Sequence, residues 1–276
     1  MTARTPRGLK RADLMVDQIK RWIVDGQAGP GDRLPNEAEL QRLFGMSKGT
    51  VREALKSLEI QGLVRLRAGP GGGATITEVG FDRAFQLLQN HFFFQPVDMV
   101  QIYQMRRLLE PELAAIACQA LSDAQLHGLE DSLEACGHDH DAPAGRVAQG
   151  AEDLDFHDML AHACPNALMR FQALAINEML RRVVIVGGDL EGLAALNHAN
   201  GQAHRAILTA LRARDAEAVR AAMRAHIDEA AGHVAAMGAS YWQRLVLDED
   251  VFADLRLSGV APLATAPPLP LRKASA

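Results

Sequence analysis

The sequence predicts a mainly α-helical protein in two parts, an N-terminal winged helix-turn-helix with a small β-wing and a C-terminal all-α helical bundle. Three observations carry that expectation. Between Leu34 and Thr77 two short helical patterns are joined by a turn containing Gly45, and the second is followed by an apolar/basic alternation and a Gly/Pro turn. Beyond Gly80 the apolar residues recur at three and four positions, with abundant Ala and Leu. In that second part β-branched runs are few, and there is neither strand alternation nor a Gly-rich nucleotide loop.

Taken in order, residues 1–9 read as a loose basic arm. From about Lys10 to Asp25, Leu14, Met15, Ile19, Trp22 and Ile23 line one helical face, and the Ala28-Gly29-Pro30-Gly31 turn closes the segment. Asn36 then caps a helix over 37–44, which Gly45 ends with the left-handed residue a tight turn needs. Ser47 caps the next helix. Its Val51, Leu55, Leu58 and either Gly62 or Leu63 form the buried face, while Lys48, Arg52 and Lys56 make a cationic row on the other. A helix with such a face fits the major groove of DNA. Residues 63–67 and 74–77 read as two strands of a wing, whose glycines allow close approach to phosphate. This first domain is assigned residues 1–80.

The second domain, 81–240, is expected to hold helices at about 81–93, 97–120, 123–136, 147–163, 167–186, 191–213 and 216–237. Their stops have local causes: Pro96, a Ser122/Gln125 capping box, Gly137 with the His138–Pro143 loop, Pro165-Asn166, Gly187-Gly188-Asp189, and Asp215 as a cap. From 241 to 276 the period is lost, and Pro262, Pro267, Pro268 and Pro270 mark a partly disordered tail.

Residues 1–80 carry 13 Lys and Arg against 9 Asp and Glu, and the remainder 16 against 25, within a formal net charge of −5. A basic N-terminal segment agrees with nucleic-acid binding, though a surplus of this size also arises by chance. Cys118, Cys136 and Cys164 are odd in number and lack C-x-x-C spacing, which suits a reducing cytoplasm and argues against a disulfide framework. No run of about 18 apolar residues and no signal-peptide core occurs, so a soluble cytoplasmic protein without a membrane partner is expected.

One constellation in the helical domain carries chemistry. Asp153 and His157 lie four residues apart on one helix face. His204 and His226 each stand 11 residues from Asp215, at the turn between the last two helices. In an antiparallel pair such positions face each other, here roughly 16 Å from the turn. Three imidazoles and a carboxylate suit zinc or another divalent first-row ion with positions left open. The alternative is four unconnected surface or hydrogen-bonded core side chains. His91, His127, His162, His198 and His233 take that second reading, and His138 and His140 belong to an acidic loop.

Two motifs then carry a resemblance. Pro30-Gly31-Asp32-Arg33-Leu34-Pro35-Asn36-Glu37-Ala38-Glu39-Leu40, with Ser47-x-x-Thr50-Val51-Arg52-Glu53-Ala54-Leu55-x-x-Leu58 and Gly62-Leu63-Val64, resembles the winged helix-turn-helix of the GntR superfamily of bacterial transcription regulators. The resemblance implies that Arg33, Lys48, Thr50, Arg52 and Gly69 touch a double-stranded, palindromic DNA operator. Ala38 stands where relatives often carry a basic residue, so the operator sequence need not match theirs. Leu154-Asp155-Phe156-His157-Asp158-Met159-Leu160 with Asn166, and the run from His204 to His226, is similar to the FCD effector domain of the FadR-type branch. In metal-containing members the ligands fall at positions matching Asp153, His157, His204 and His226. The likeness also implies a homodimer and a small organic acid effector met by Arg106 and Asn166. For Arg106 an ion pair with Glu110, one turn away, is the competing role.

These features make a transcription regulator modulated by a carboxylic acid at a divalent-metal site the first expectation. A regulator answering to the metal itself comes second. A metal-dependent enzyme comes third, because no separate general base or nucleophile accompanies the ligand set.

Overall fold

The hydrogen-bonded ends of the second helix show how local chemistry sets the first part of the fold. In the computed structural model, which describes residues 10–69, 72–92, 95, 97–135, 143–184 and 190–236, α1 spans Arg11–Val24, α2 Glu37–Phe44 and α3 Lys48–Ile60. The Glu39 amide donates to Asn36 Oδ1 at 3.0 Å and the Asn36 amide to Glu39 Oε2 at 2.9 Å, a reciprocal capping box. Gly45 closes α2 at φ 59°, and Ser47 Oγ accepts from the Thr50 amide at 3.3 Å to open α3. The apolar faces of these three helices meet in one core, centred on Met15, Ile19, Leu40, Val51 and Leu58.

Strand β1 (Val64–Arg67) pairs antiparallel with β2 (Gly73–Ile76), with Val64 opposite Ile76 and Arg67 opposite Gly73. A feature absent from the sequence reading lies on the other edge of β2. The Leu34 amide donates to the Ala74 carbonyl at 2.9 Å, the Ile76 amide to the Asp32 carbonyl at 2.8 Å, and Arg33 bridges Thr75. The Gly31–Leu34 stretch lacks alternation, so only the pairing reveals it as sheet edge. Helix α4 (Phe81–Phe92) follows, and the Arg83 guanidinium donates to the carbonyls of Glu59 and Ile60 at the end of α3. The chain divides into two compact units, Met1–Phe94 and Gln95–Ala276, with α4 in the first.

The second unit holds α5 (Met99–Ala120), α6 (Asp123–Ala135), α7 (Pro143–Ala163), α8 (Ala167–Val184), α9 (Leu190–Arg212) and α10 (Ala216–Ala236). Asp98 and Gln101 form a capping box on α5, Ser122 and Gln125 one on α6, and Asp215 Oδ1 accepts from the Ala218 amide to cap α10. Helix α7 begins at Pro143, four residues before the expected start, because proline is accepted at a first helical position where its missing N–H costs nothing. Arg214 takes a left-handed φ of 54° in the α9–α10 turn and donates to the Cys118 and Leu121 carbonyls, tying that turn to the end of α5. Helix α10 packs on α5 and α9, and α7 on α8 and α9, around Phe156, Leu160, Ile207, Leu211, Met223 and Ile227. Among the described residues no helix is long and apolar enough to cross a membrane. The N-terminal arm, Cys136, the loop of His138 and His140, the 187–189 break and the tail from 241 lie outside the described residues.

Candidate metal centre and nucleic-acid interface

Three helices of the second unit each bring one buried imidazole to a common point. His157 comes from α7, His204 from α9 and His226 from α10, at 5%, 0% and 3% exposure. Their Nε2 atoms form a nearly equilateral triangle, with 3.1 Å from His157 to His204, 3.3 Å from His204 to His226 and 3.2 Å from His226 to His157. Two nitrogens bonded at metal distances to one ion are separated by about 2.8–3.4 Å for angles between square and tetrahedral. The triangle falls inside that range, so the donor set fits a divalent ion. Antiparallel pairing across the Asp215 turn is what sets His204 against His226.

The surroundings disfavour protonation of two of these rings. Burial, then the neighbouring His157 and the Arg106 charge, push His204 well below the usual imidazole range. Burial first, then His204, His157 and Arg106, does the same to His226. Phe156 stacks on His204 with ring centroids 4.3 Å apart, while His204 Nδ1 is buried without a hydrogen-bond partner.

On α5, Arg106 and Glu110 are buried one turn apart. Arg106 Nε donates to Glu110 Oε1 at 2.5 Å, and Glu110 Oε2 lies 2.5 Å from His157 Nδ1. Burial opposes ionisation of Glu110, but Arg106 and His157 outweigh it and hold the carboxyl well below the usual range. Arg106 Nη2 also reaches to 3.3 Å from His157 Nε2, and its guanidinium lies 5.1 Å from the centre of the Tyr103 ring. Of the two roles weighed for Arg106, the ion pair with Glu110 is therefore formed.

Two expected residues are placed differently from the rest. Asp153 is 4% exposed and lies one turn from His157, yet its carboxylate stands outside the three-histidine group, whose ligating atoms are all within 4.8 Å of one another. Asn200 Nδ2 donates to Asp153 Oδ2 at 3.0 Å, and burial pushes this carboxyl up to about 7. Asn166 is exposed and caps α8, accepting from the amides of Leu168 and Met169 at 3.1 and 3.2 Å. It is absent from the lining of the cavity beside the histidines. That cavity has a volume of about 40 Å³ and is lined by Arg106, Asp153, His157, His226, Asn197 and Asn200 among others. Asn197, Asn200 and the Glu110 contact to His157 were not singled out from sequence. Asn200 precedes His204 by four residues, and that spacing was the available signal.

In the first unit Arg33, Lys48, Arg52 and Gly69 are exposed and Thr50 is half-buried. Glu37 holds Arg52 through Nε, at 3.0 Å to both carboxylate oxygens, and Thr50 Oγ1 lies 2.9 Å from Ser47 Oγ at the start of α3. Lys56, third in the cationic row, is paired with Glu59 at 2.7 Å. Gly69 sits in the wing turn at φ 92°, a conformation that favours glycine, and its carbonyl accepts from the Gly72 amide.

Comparison with known proteins matches both units. Residues 12–74 match the gntR family of bacterial regulatory proteins, and residues 101–229 match the FCD domain. The HTH-type transcriptional repressor NanR of Klebsiella aerogenes is 28% identical over 241 residues, covering 84% of this chain and 88% of that protein. The HTH-type transcriptional regulator LutR of Bacillus subtilis is 30% identical over 159 residues, 57% of this chain and 70% of that one. Among solved structures, a Streptococcus agalactiae GntR protein matches with a TM-score of 0.58 at 25% identity, covering 81% of this chain and 99% of that chain. With both of its units matched in this way, the chain belongs to the GntR family of bacterial regulatory proteins and carries an FCD domain.

Proposed function

We propose that this protein is a cytoplasmic, homodimeric, DNA-binding transcription regulator whose affinity for a palindromic operator is set by a small carboxylic acid at a divalent-metal site. The observation that carries the reading is the buried triangle of His157, His204 and His226 Nε2 atoms with the Arg106 guanidinium beside it. His157, His204 and His226 would hold the ion, zinc being the simplest choice for three imidazoles, and Asp153, in the cavity lining one turn before His157, would supply a further carboxylate. Such an ion supplies positive charge and open positions for a carboxylate.

The chain's own residues do the rest. Burial keeps His204 and His226 neutral, so their lone pairs are available near neutral pH. Arg106 places a fixed positive charge on the cavity wall, and Asn197 and Asn200 add carboxamides that discriminate the remainder of a ligand. An anion engaging Arg106 on α5 while α7, α9 and α10 hold their histidines would draw four helices together. In a dimer with two winged units on successive half-sites, a shift of a few ångström weakens DNA binding. The coupling is reciprocal, so operator DNA must weaken ligand binding by the same factor. Exposed Lys48 and Arg52 on α3 supply the DNA face, Lys48 toward phosphate and Arg52 toward a base edge, with Arg33, Thr50 and the Gly69 turn of the wing flanking them. Operator binding titrated with short carboxylic acids, in zinc-loaded protein and in a His204→Ala variant, tests the reading.

One observation favours a second reading, in which the metal itself is the signal. At about 40 Å³ the cavity is small beside the roughly 300–1,000 Å³ typical of pockets for organic ligands. Operator binding that responds to zinc with no organic acid present would select it.

A further inference from the structure

We propose that Glu110 is a positioning residue that commits His157 to donate from Nε2, acting as the shared acceptor of a buried Arg106–Glu110–His157 chain. Its purpose rests on the metal reading above; its geometry does not. Glu110 lies with one oxygen 2.5 Å from Arg106 Nε and the other 2.5 Å from His157 Nδ1, and all three side chains are 4% exposed. An ionised carboxylate can only accept, so the hydrogen between Glu110 Oε2 and His157 belongs to Nδ1. In a neutral imidazole that leaves the lone pair on Nε2, the atom facing those of His204 and His226 at 3.1 and 3.2 Å. A metal-binding histidine is commonly fixed in this way by a carboxylate on its other nitrogen.

The contrast with His204 sharpens the assignment. Its Nδ1 is buried with no hydrogen-bond partner, and its ring is held by stacking on Phe156. No contact on that side selects its tautomer, whereas the Glu110 contact selects that of His157. Arg106 is part of the same device, because its charge allows a carboxylate to remain ionised in so dry a place.

The test is the tautomer of His157 in the metal-free full-length chain, read by nitrogen-15 NMR at mildly alkaline pH, together with zinc affinity by competition with a chromophoric chelator. Wild type is expected to carry its proton on Nδ1 with Nε2 bare. Glu110→Gln keeps a carbonyl acceptor and should retain much of that preference. Glu110→Leu with Arg106→Met removes both charges together, so no charge is stranded in the core. In that double variant, folded by circular dichroism, His157 should populate both tautomers and zinc affinity should fall about 10- to 100-fold. Should the double variant fail to fold, the wild-type tautomer alone decides. A wild-type His157 protonated on Nε2 overturns the proposal, as does unchanged zinc affinity in the folded double variant. Wild type that shows the Nδ1 tautomer but binds no zinc upholds the positioning role and removes the metal reading instead.

Discussion

Asn200 donates from Nδ2 to Asp153 Oδ2 over 3.0 Å, and each partner sits one helical turn before a histidine of the triangle, Asp153 before His157 and Asn200 before His204. The bond ties α7 to α9 at the level of the cavity. It also gives a carboxylate that burial lifts to about 7 a polar partner. Asn200→Ala should therefore destabilise the metal-free protein by about 1–3 kcal/mol, the usual cost of stranding a buried polar group. Urea unfolding measures it, and an unchanged midpoint would show that the pair carries no stability.

Three buried Nε2 atoms converge within 3.3 Å, and lone pairs on them repel one another unless a proton or a cation sits between them. Zinc should raise the melting temperature and a chelator should lower it. At a thousandfold excess over its dissociation constant a ligand stabilises by about 4 kcal/mol. His204→Ala should abolish the zinc-dependent part of the shift. Scanning calorimetry with and without zinc checks this, and equal shifts in wild type and variant would contradict it.

Phe156 is 1% exposed and stacks on His204. Phe156→Ala should cost about 3–5 kcal/mol through lost burial and the cavity left behind. It should also lower zinc affinity by freeing the His204 ring. Urea unfolding and zinc competition on one preparation measure both, and lost stability with intact zinc affinity would show that Phe156 fills the core without orienting the ring.

Arg52 and Lys48 should behave differently on DNA. Arg52→Ala, if the guanidinium held by Glu37 reads a guanine edge, should cost about 1–3 kcal/mol and relax preference at one base pair. Lys48→Ala should weaken binding to every sequence and flatten the salt dependence. Fluorescence anisotropy on operator and scrambled duplexes at several salt concentrations separates the two. Equal, sequence-independent losses would remove the base-reading role of Arg52.

Much of this arrangement was legible in the sequence wherever its cause is local. Helix α2 falls at 37–44 as expected because Asn36, Glu39 and Gly45 each act on their own backbone or a neighbour's. The bundle helices follow for the same reason, with α7 extended backwards once Pro143 is seen as a start and not a break. His204 and His226 were legible as a facing pair because one turn, at Asp215, relates them. Longer reach defeated the reading. Glu110 meets His157 across 47 residues of chain and Asn200 meets Asp153 across the same interval, through a packing of separate helices that no spacing within one helix reports. Asn166 matches a motif position that implies an effector contact, whereas its short side chain is used up capping α8. The Arg33–Thr75 bridge escaped because the stretch after the Ala28-Gly29-Pro30-Gly31 turn shows no apolar/polar alternation.

The most direct measurement is the operator affinity of the zinc-loaded protein as short carboxylic acids are added, with binding of each acid to the protein followed in parallel by calorimetry. At least one acid that binds is expected also to change operator affinity, and His204→Ala to abolish the change while retaining DNA binding. Acids that bind the helical unit yet leave operator affinity untouched in every case would contradict it.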